Sequence, residues 1–393
     1  MDILAVAAAL RGNELEFEHY VDDLRQNFME HAVDDEPEVQ GQPGPYQSIV
    51  DNANRQMLLF TFTGFELQEF TTIWLTCQNF LTTNARGRQP IISGKDALLA
   101  VLTHLKHYQH LEKQAADFRV TTQTFVRTLE KTFPRILEPL WNRFVRVIRR
   151  PELVQQNIVI QDFPNVVSML DCTVQQCRKP TGTYNEQKIY FSGKHWMYCL
   201  KSLTVHAPNG LVMLVRCSEP GSVADIDMLA HTAPEIAPIL AENGVERVYQ
   251  LMGDSGFQGG DNFDGLNMVI PYKTPGNRDL TQHELNFNRK LSSARVVVEN
   301  YYGRLKLKFG AVREKYRGDR GESYTQLFKL CIALANFDIS KRPLRREEGI
   351  AFAALEDQLI RENRIRYEDI RAERRAIANR RRGRFRNQPE NRR

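Results

Sequence analysis

Between about residues 48 and 150, apolar side chains recur at i, i+3 and i+4, the stripe of an amphipathic helix, with few strand signals. Two short runs stand out: residues 111–118 form one and residues 123–133 a second, and Arg119 to Thr122 break the pattern between them. Phe125, Val126, Leu129 and Phe133 fall on one face of the second run, leaving Gln123, Thr124, Arg127, Thr128 and Lys131 on the other. Thr121 or Thr122 is placed to cap that run by accepting an orphan backbone N–H. Two helices about a short turn make a helix-turn-helix, whose second helix can lie in a DNA major groove. The same pattern also suits two helices of a plain bundle. Upstream, residues 1–33 read as helix, and the acidic, Pro- and Gly-containing residues 34–47 read as a linker.

The periodicity changes at about residue 159. Residues 166–171 form a short apolar strand, and residues 196–206 and 211–217 form β-rich runs joined by the turn Pro208-Asn209-Gly210. A helix is expected near 224–242, strands over 248–252 and 268–272, and helices over about 281–309 and 324–337. This is a mixed α/β domain over 159–340, preceded by an all-α domain over 48–150 whose residues 111–133 hold the helix-turn-helix.

A hydrophobic content of 42% and a charged content of 26% suit a soluble globular chain. The longest apolar run, residues 3–10, is far short of the roughly 20 residues a membrane helix needs, and Asp2 but no basic residue precedes it. No membrane association is therefore expected, and the chain reads as intracellular. Six scattered cysteines without a CxxC pair read as reduced thiols. Charge is distributed unevenly. From residue 345 onward there are 15 arginines and nine acids, a balance of +6 in a chain of net charge +5. Between Arg374 and Arg386 seven arginines occur with no acid, which reads as a nuclear localisation signal or a nucleic-acid patch on an exposed, helical tail over 341–393.

Candidate chemistry lies in three carboxylates. Asp171 closes one expected strand, Asp254 closes another, and Glu299 lies within an expected helix. Carboxylates ending adjacent parallel strands project into the crevice at the carboxyl edge of a sheet, where ligands of open α/β sheets bind. Oxygen-only donors on rigid elements suit Mg²⁺ or Mn²⁺, and two such ions about 4 Å apart serve phosphodiester displacement. The run Val296-Val297-Val298 before Glu299 is unfavourable in a helix, so packing rather than propensity must hold that segment. Asp225 and Asp227 read as helix-capping residues with Ser222 rather than ligands. His104, His107 and His110 lack the further partners of a zinc site. No P-loop, nucleophile elbow or Cys-His pair is present.

The blocks Leu170-Asp171-Cys172-Thr173, Tyr190-Phe191-Ser192-Gly193-Lys194, Lys201, Asn209-Gly210, Pro220-Gly221-Ser222 with Asp225 and Asp227, Gly253-Asp254-Ser255-Gly256-Phe257, Pro271-Tyr272-Lys273 and residues 298–306 occur in order. Together they resemble the DDE-superfamily endonuclease domain of Harbinger-type transposases over roughly residues 165–340. Cys172 and Val174 stand where many relatives have Gly and His. The resemblance implies an RNase H-like catalytic domain, a mixed sheet with flanking helices, in which Asp171, Asp254 and Glu299 hold two divalent ions, Mg²⁺ or Mn²⁺. It implies nicking of double-stranded DNA at transposon ends and joining of the freed 3′-hydroxyl to target DNA, as a homo-oligomer in the nucleus. A separate Myb-like DNA-binding partner protein is common among such proteins. Gln123, Thr124, Arg127, Lys131, Lys194, Arg304 and Lys306 are the expected DNA contacts. Some relatives are domesticated, so the alternative is a DNA-binding or adaptor protein without catalysis.

Overall fold

A computed structural model of the chain describes residues 44–81, 92–242, 244–276 and 278–386. The helix expected over 1–33 and most of the linker expected over 34–47 lie outside them. The described residues divide into two units, one formed by those from 44 to 146 with 303–311 and 326–351, the other by those within 147–302, 312–325 and 352–386. The long helices over 282–308 and 322–341 each contribute residues to both.

In the helical unit, α1 (Pro45–Val50), α2 (Arg55–Thr63), α3 (Leu67–Leu81), α4 (Gly94–His107), α5 (Leu111–Asp117) and α6 (Thr122–Phe144) follow in order. Helix α1 begins inside the expected linker, because Pro45 is tolerated in a first helical turn and Tyr46 stacks on Phe70 at 5.0 Å. Ser93 caps α4 through the Asp96 N–H. Thr121 caps α6 through the Thr124 N–H. Helix α6 does not stop at Phe133 but continues through Pro134 and Pro139 to Phe144. Pro134 cannot donate to the Glu130 carbonyl, and both residues are exposed. The buried Asp338 is held by Arg304 and Lys308, each at 2.8 Å, and by Arg342 at 2.8 Å, while Lys308 also lies 4.1 Å over the Phe65 ring.

The second unit opens with α7 (Arg150–Gln155) and is organised about β1 (Val166–Gln176). After α8 (Tyr184–Tyr190) come β2 (Phe191–Ser192), β3 (Met197–His206), β4 (Val212–Pro220), α9 (Asp225–Leu240), β5 (Gln250–Met252) and β6 (Met268–Val269). Strand β1 pairs antiparallel with β3 and parallel with β5, β5 is parallel to β6, and β3 pairs antiparallel with both β4 and β2. The sheet is mixed and carries helices, consistent with a DDE or RNase H-like domain. Leu170 and Leu203 on one face of the sheet pack with Met228, Leu229 and Ile236 of α9. Residues of α10 (Gln282–Lys308) lie against the other face: Tyr302 reaches Thr204, and the Tyr301 ring meets His206 edge-on at 4.9 Å. The chain closes with α11 (Gly310–Arg313), α12 (Glu322–Lys341) and α13 (Arg346–Arg386), the last a continuous, largely exposed helix. No described helix is long and apolar enough to cross a membrane.

Gly303 in α10 allows a close approach of backbone in the helical unit: a Cβ there would stand 2.5 Å from the carbonyl oxygen of Glu348 and 2.7 Å from its carbon. Helix propensity alone makes Gly303→Ala favourable by about 1 kcal/mol. The clash reverses the sign, and we expect a net loss of about 1–3 kcal/mol in urea unfolding. A variant as stable as the parent would show that this backbone approach carries no weight.

Candidate active site

Asp171 does not end its strand. Strand β1 stays paired with β3 as far as Gln176↔Cys199, but its parallel pairing with β5 ends at Met169↔Met252. Asp171 and Asp254 therefore both lie two residues beyond the same rung, and it is the end of β5, not of β1, that makes the sheet edge. Asp254 leads into a turn of 3₁₀ helix, Ser255–Phe257, and its Oδ1 accepts the Gly256 N–H at 2.8 Å. The two carboxylates are close enough for each to oppose the other's charge.

On the opposite side of Asp171 stands α10. Arg295 Nη2 donates to Asp171 Oδ2 at 3.0 Å, and the Tyr302 hydroxyl donates to the Asp171 carbonyl at 2.9 Å. Glu299 lies between these two on the helix, and positions 295, 299 and 302 share one face. Its own side chain is exposed. The Arg295 Nε–H is buried without an acceptor. Lys194, exposed in the turn between β2 and β3, adds positive potential at Asp171.

Burial pushes the Asp171 carboxyl up to about 6; Arg295 opposes the rise, Asp254 adds to it, and the Cys172 N–H and Lys194 again oppose it. Behind Asp171 runs a buried chain of polar groups. Tyr302 Oη lies 2.6 Å from Thr204 Oγ1, which lies 2.7 Å from His206 Nε2, and His206 Nδ1 lies 2.9 Å from the Gly210 carbonyl. Burial lowers the His206 pKa to about 4, so the ring is neutral and has one proton. The Gly210 carbonyl can only accept, so Nδ1 holds that proton, Nε2 accepts from Thr204, and Tyr302 shares its proton between Thr204 and Asp171. Neither His206 nor Thr204 carries a recognisable motif. The signal open to sequence reading was Tyr302 on the apolar stripe of α10.

On the other sheet face, Lys201 Nζ donates to the Val223 carbonyl at 2.6 Å and to Asp225 Oδ1 at 2.9 Å. Asp225 thus does not cap α9, whose N-cap is Ala224 without a side-chain bond. Asp225 Oδ2 and Asp254 Oδ1 each stand 2.9 Å from the point where a Cβ on Gly256 would lie, so a side chain there would collide with both.

The expected DNA contacts separate into two groups. Gln123, Arg127 and Lys131 are exposed on α6, and Thr124 is half-buried with its hydroxyl 2.9 Å from that of Thr121. Arg304, by contrast, is paired with Asp338 and Glu348 and is 12% exposed, and Lys306 is buried. In this structure those two side chains are drawn inward, Arg304 onto carboxylates. The three histidines do not converge: His104 meets Gln114 and His107 meets the Thr61 carbonyl.

Asp171, Asp254 and Glu299 are hard oxygen donors, and the mutual repulsion of the first two is of the kind a divalent cation relieves, so the set fits Mg²⁺ or Mn²⁺ in kind and charge. Among the described residues no three His, Cys, Asp or Glu side chains stand close enough to share one ion. The arrangement as it stands is a carboxylate pair with an arginine as counter-ion.

Residues 170–336 match the family model of the DDE superfamily endonuclease. A probable transposase for insertion sequence element IS702 from Microchaete diplosiphon is 22% identical over 259 residues, covering 65% of this chain and 84% of that protein. No solved structure gives a significant match.

In chelator-treated protein, carboxyl-carbon NMR should place the Asp171 midpoint near 6. Asp254→Asn should lower that midpoint and Arg295→Gln raise it, and an unshifted midpoint in both variants would remove the proposed couplings. The linked stability has a definite sign. Asp171 binds its proton more tightly folded than unfolded, so its contribution falls as pH rises from about 4 to 6; His206 acts oppositely, favouring the fold above about 6.5 and weakening it as pH falls toward 4. Tyr302→Phe leaves Thr204 and the Asp171 carbonyl short of a donor and should cost about 1–3 kcal/mol in urea unfolding.

Proposed function

We propose that the chain is a metal-dependent DNA endonuclease and strand transferase of the Harbinger type, acting at the ends of a mobile element. One observation carries this reading: Asp171 and Asp254 each lie two residues beyond the last parallel rung of β1 and β5, with the charge of Asp254 acting on Asp171, within the residues that match the DDE superfamily endonuclease model. Glu299, on the face of α10 that reaches Asp171, completes the carboxylate set. In this reading Asp171, Asp254 and Glu299 hold two Mg²⁺ or Mn²⁺ ions, which when bound supply Lewis acidity to a phosphodiester displacement by water and then by a 3′-hydroxyl.

The protein's own groups have separate tasks. Arg295 keeps Asp171 ionised against its burial, and its spare Nε–H offers a donor to an entering phosphate oxygen. The Tyr302–Thr204–His206 chain holds the Asp171 backbone to α10, so the first carboxylate and the helix of the third move as one body. Lys194 supplies charge for the DNA backbone, worth most at low salt. Exposed Gln123, Arg127 and Lys131, with Thr124, form the DNA-facing side of α6 and read bases or phosphates. Two transposon ends must be held together, so the protein acts as a homo-oligomer on DNA, in the nucleus, with a Myb-like protein as a candidate partner.

The test is conversion of supercoiled plasmid to open circles by the full chain with Mg²⁺ or Mn²⁺, beside Asp254→Asn and Glu299→Gln of matched melting temperature. Nicking should fall on the order of a thousandfold in each variant, about 4 kcal/mol in barrier. If parent and variants behave alike while all bind DNA in a salt-dependent way, the chain is a DNA-binding protein without catalysis.

A further inference from the structure

We infer that α13 is a DNA-backbone-binding arm, fixed to the catalytic unit by an aromatic clamp on the turn that carries Lys194. The inference rests on the DNA substrate proposed above and adds a surface to it. The clamp is Tyr367, whose ring lies 5.3 Å from Phe191 and 5.4 Å from Trp196. Arg364 adds its guanidinium 5.8 Å over Trp196, and Asn363 Nδ2 lies 3.6 Å from the Met197 sulfur. These three residues occupy about one turn of α13. Burial raises the Tyr198 pKa, Tyr367 adds to the rise, and Arg374, two turns beyond Tyr367, acts against it.

The clamped turn is itself under constraint. Trp196 has φ +55°, a left-handed conformation rare for a bulky side chain and kept only where its surroundings demand it. His195, buried beneath, lies with Nδ1 2.9 Å from the Ser192 hydroxyl. Lys194 is exposed in this turn and contributes positive charge at Asp171. The C-terminal helix is therefore attached to the turn that carries Lys194, whose charge acts on Asp171.

Charge decides what the arm fits. Up to Glu373 the helix carries both signs and pairs them internally, as in Arg364–Glu368 at 3.1 Å. From Arg374 to Arg386 seven arginines have no acid among them to neutralise, and Arg374 and Arg375 are exposed. Those residues span about 20 Å of helix, the length of about six phosphates along one strand. A basic segment read only by an import receptor has no need of attachment to the turn bearing Lys194. A continuous polyanion that passes the carboxylates does, because the same strand then meets Lys194 and the arginine run in succession.

The experiment uses the full chain and a fluorescein-labelled duplex of about 40 base pairs, followed by anisotropy from roughly 50 to 200 mM NaCl. Arg374→Gln/Arg375→Gln should reduce the slope of log affinity against log salt by about two, with unchanged melting. Tyr367→Ala keeps the arginines but frees the arm, so hydroxyl-radical footprints should lose protection at the arm's end of the site, and Tyr367→Phe should restore it. An unchanged slope in the double variant, or an unchanged footprint in Tyr367→Ala, overturns the inference and leaves the run to another partner such as an import receptor. The two readings fail separately. If the slope falls by two but no Asp254-dependent nicking is found, the arm stands and the catalytic assignment falls. If nicking depends on Asp254 and the slope does not move, the arm alone falls.

Discussion

A carboxylate withdrawn from water beside a second carboxylate must be balanced, and much of the second unit is arranged around that requirement at Asp171. Burial and the charge of Asp254 both favour the protonated acid. The compensating guanidinium comes from α10, over a hundred residues later, at 3.0 Å. Once Arg295 is committed to Asp171, the register of α10 along β1 is set, and Tyr302 falls two turns on against the Asp171 carbonyl. From there Thr204 and neutral His206 carry hydrogen bonds back to the hairpin at Gly210. One electrostatic demand thus links β1, β3, the hairpin and the helix that bears Glu299.

This explains why some features were legible in the sequence and others were not. The strands around Pro208-Asn209-Gly210 and the helix over α10 follow from local chemistry, since turn residues and apolar spacing act within a few positions. The continuation of β1 past Asp171 does not, because residues 172–176 are held by partners on β3 rather than by an alternating pattern of their own. Helix α6 continues past Pro134, where Ile136 and Leu140 are buried, so tertiary packing outweighs the lost bond, which no local rule anticipates. The β-branched run Val296-Val297-Val298 is helical for the converse reason: Val298 is fully buried, and tertiary packing outweighs weak propensity.

Candidate site residues divide along the same line. Asp171, Asp254 and Glu299 stood out by residue type and by their places on expected strands and a helix; the structure sets the charge of Asp254 against Asp171 and leaves Glu299 exposed on the helix that reaches Asp171. Arg295, Thr204 and His206 were not, since their parts depend on which residues face them across the sheet. Arg304 and Lys306 show how burial hides from a local reading. A basic residue beside a catalytic block reads as a phosphate contact, yet both are drawn inward, Arg304 to satisfy Asp338 and Glu348.

The contrast between Asp338 and Asp171 separates a structural carboxylate from a candidate catalytic one. Burial raises the pKa of Asp338, but Lys308, Arg304 and Arg342 more than reverse it, and its carboxyl ends below the usual range. Asp338 is saturated: three cations share its two oxygens, and any further positive group would have to displace one of them. At Asp171 burial prevails over Arg295, and the nearest acid adds to the deficit rather than sharing a cation. A carboxylate pair left short of positive charge gains from another cation, whereas a saturated carboxylate does not. The same burial that makes Asp338 a fixed strut therefore leaves Asp171 a carboxylate that added positive charge would stabilise, beside an arginine with a donor to spare.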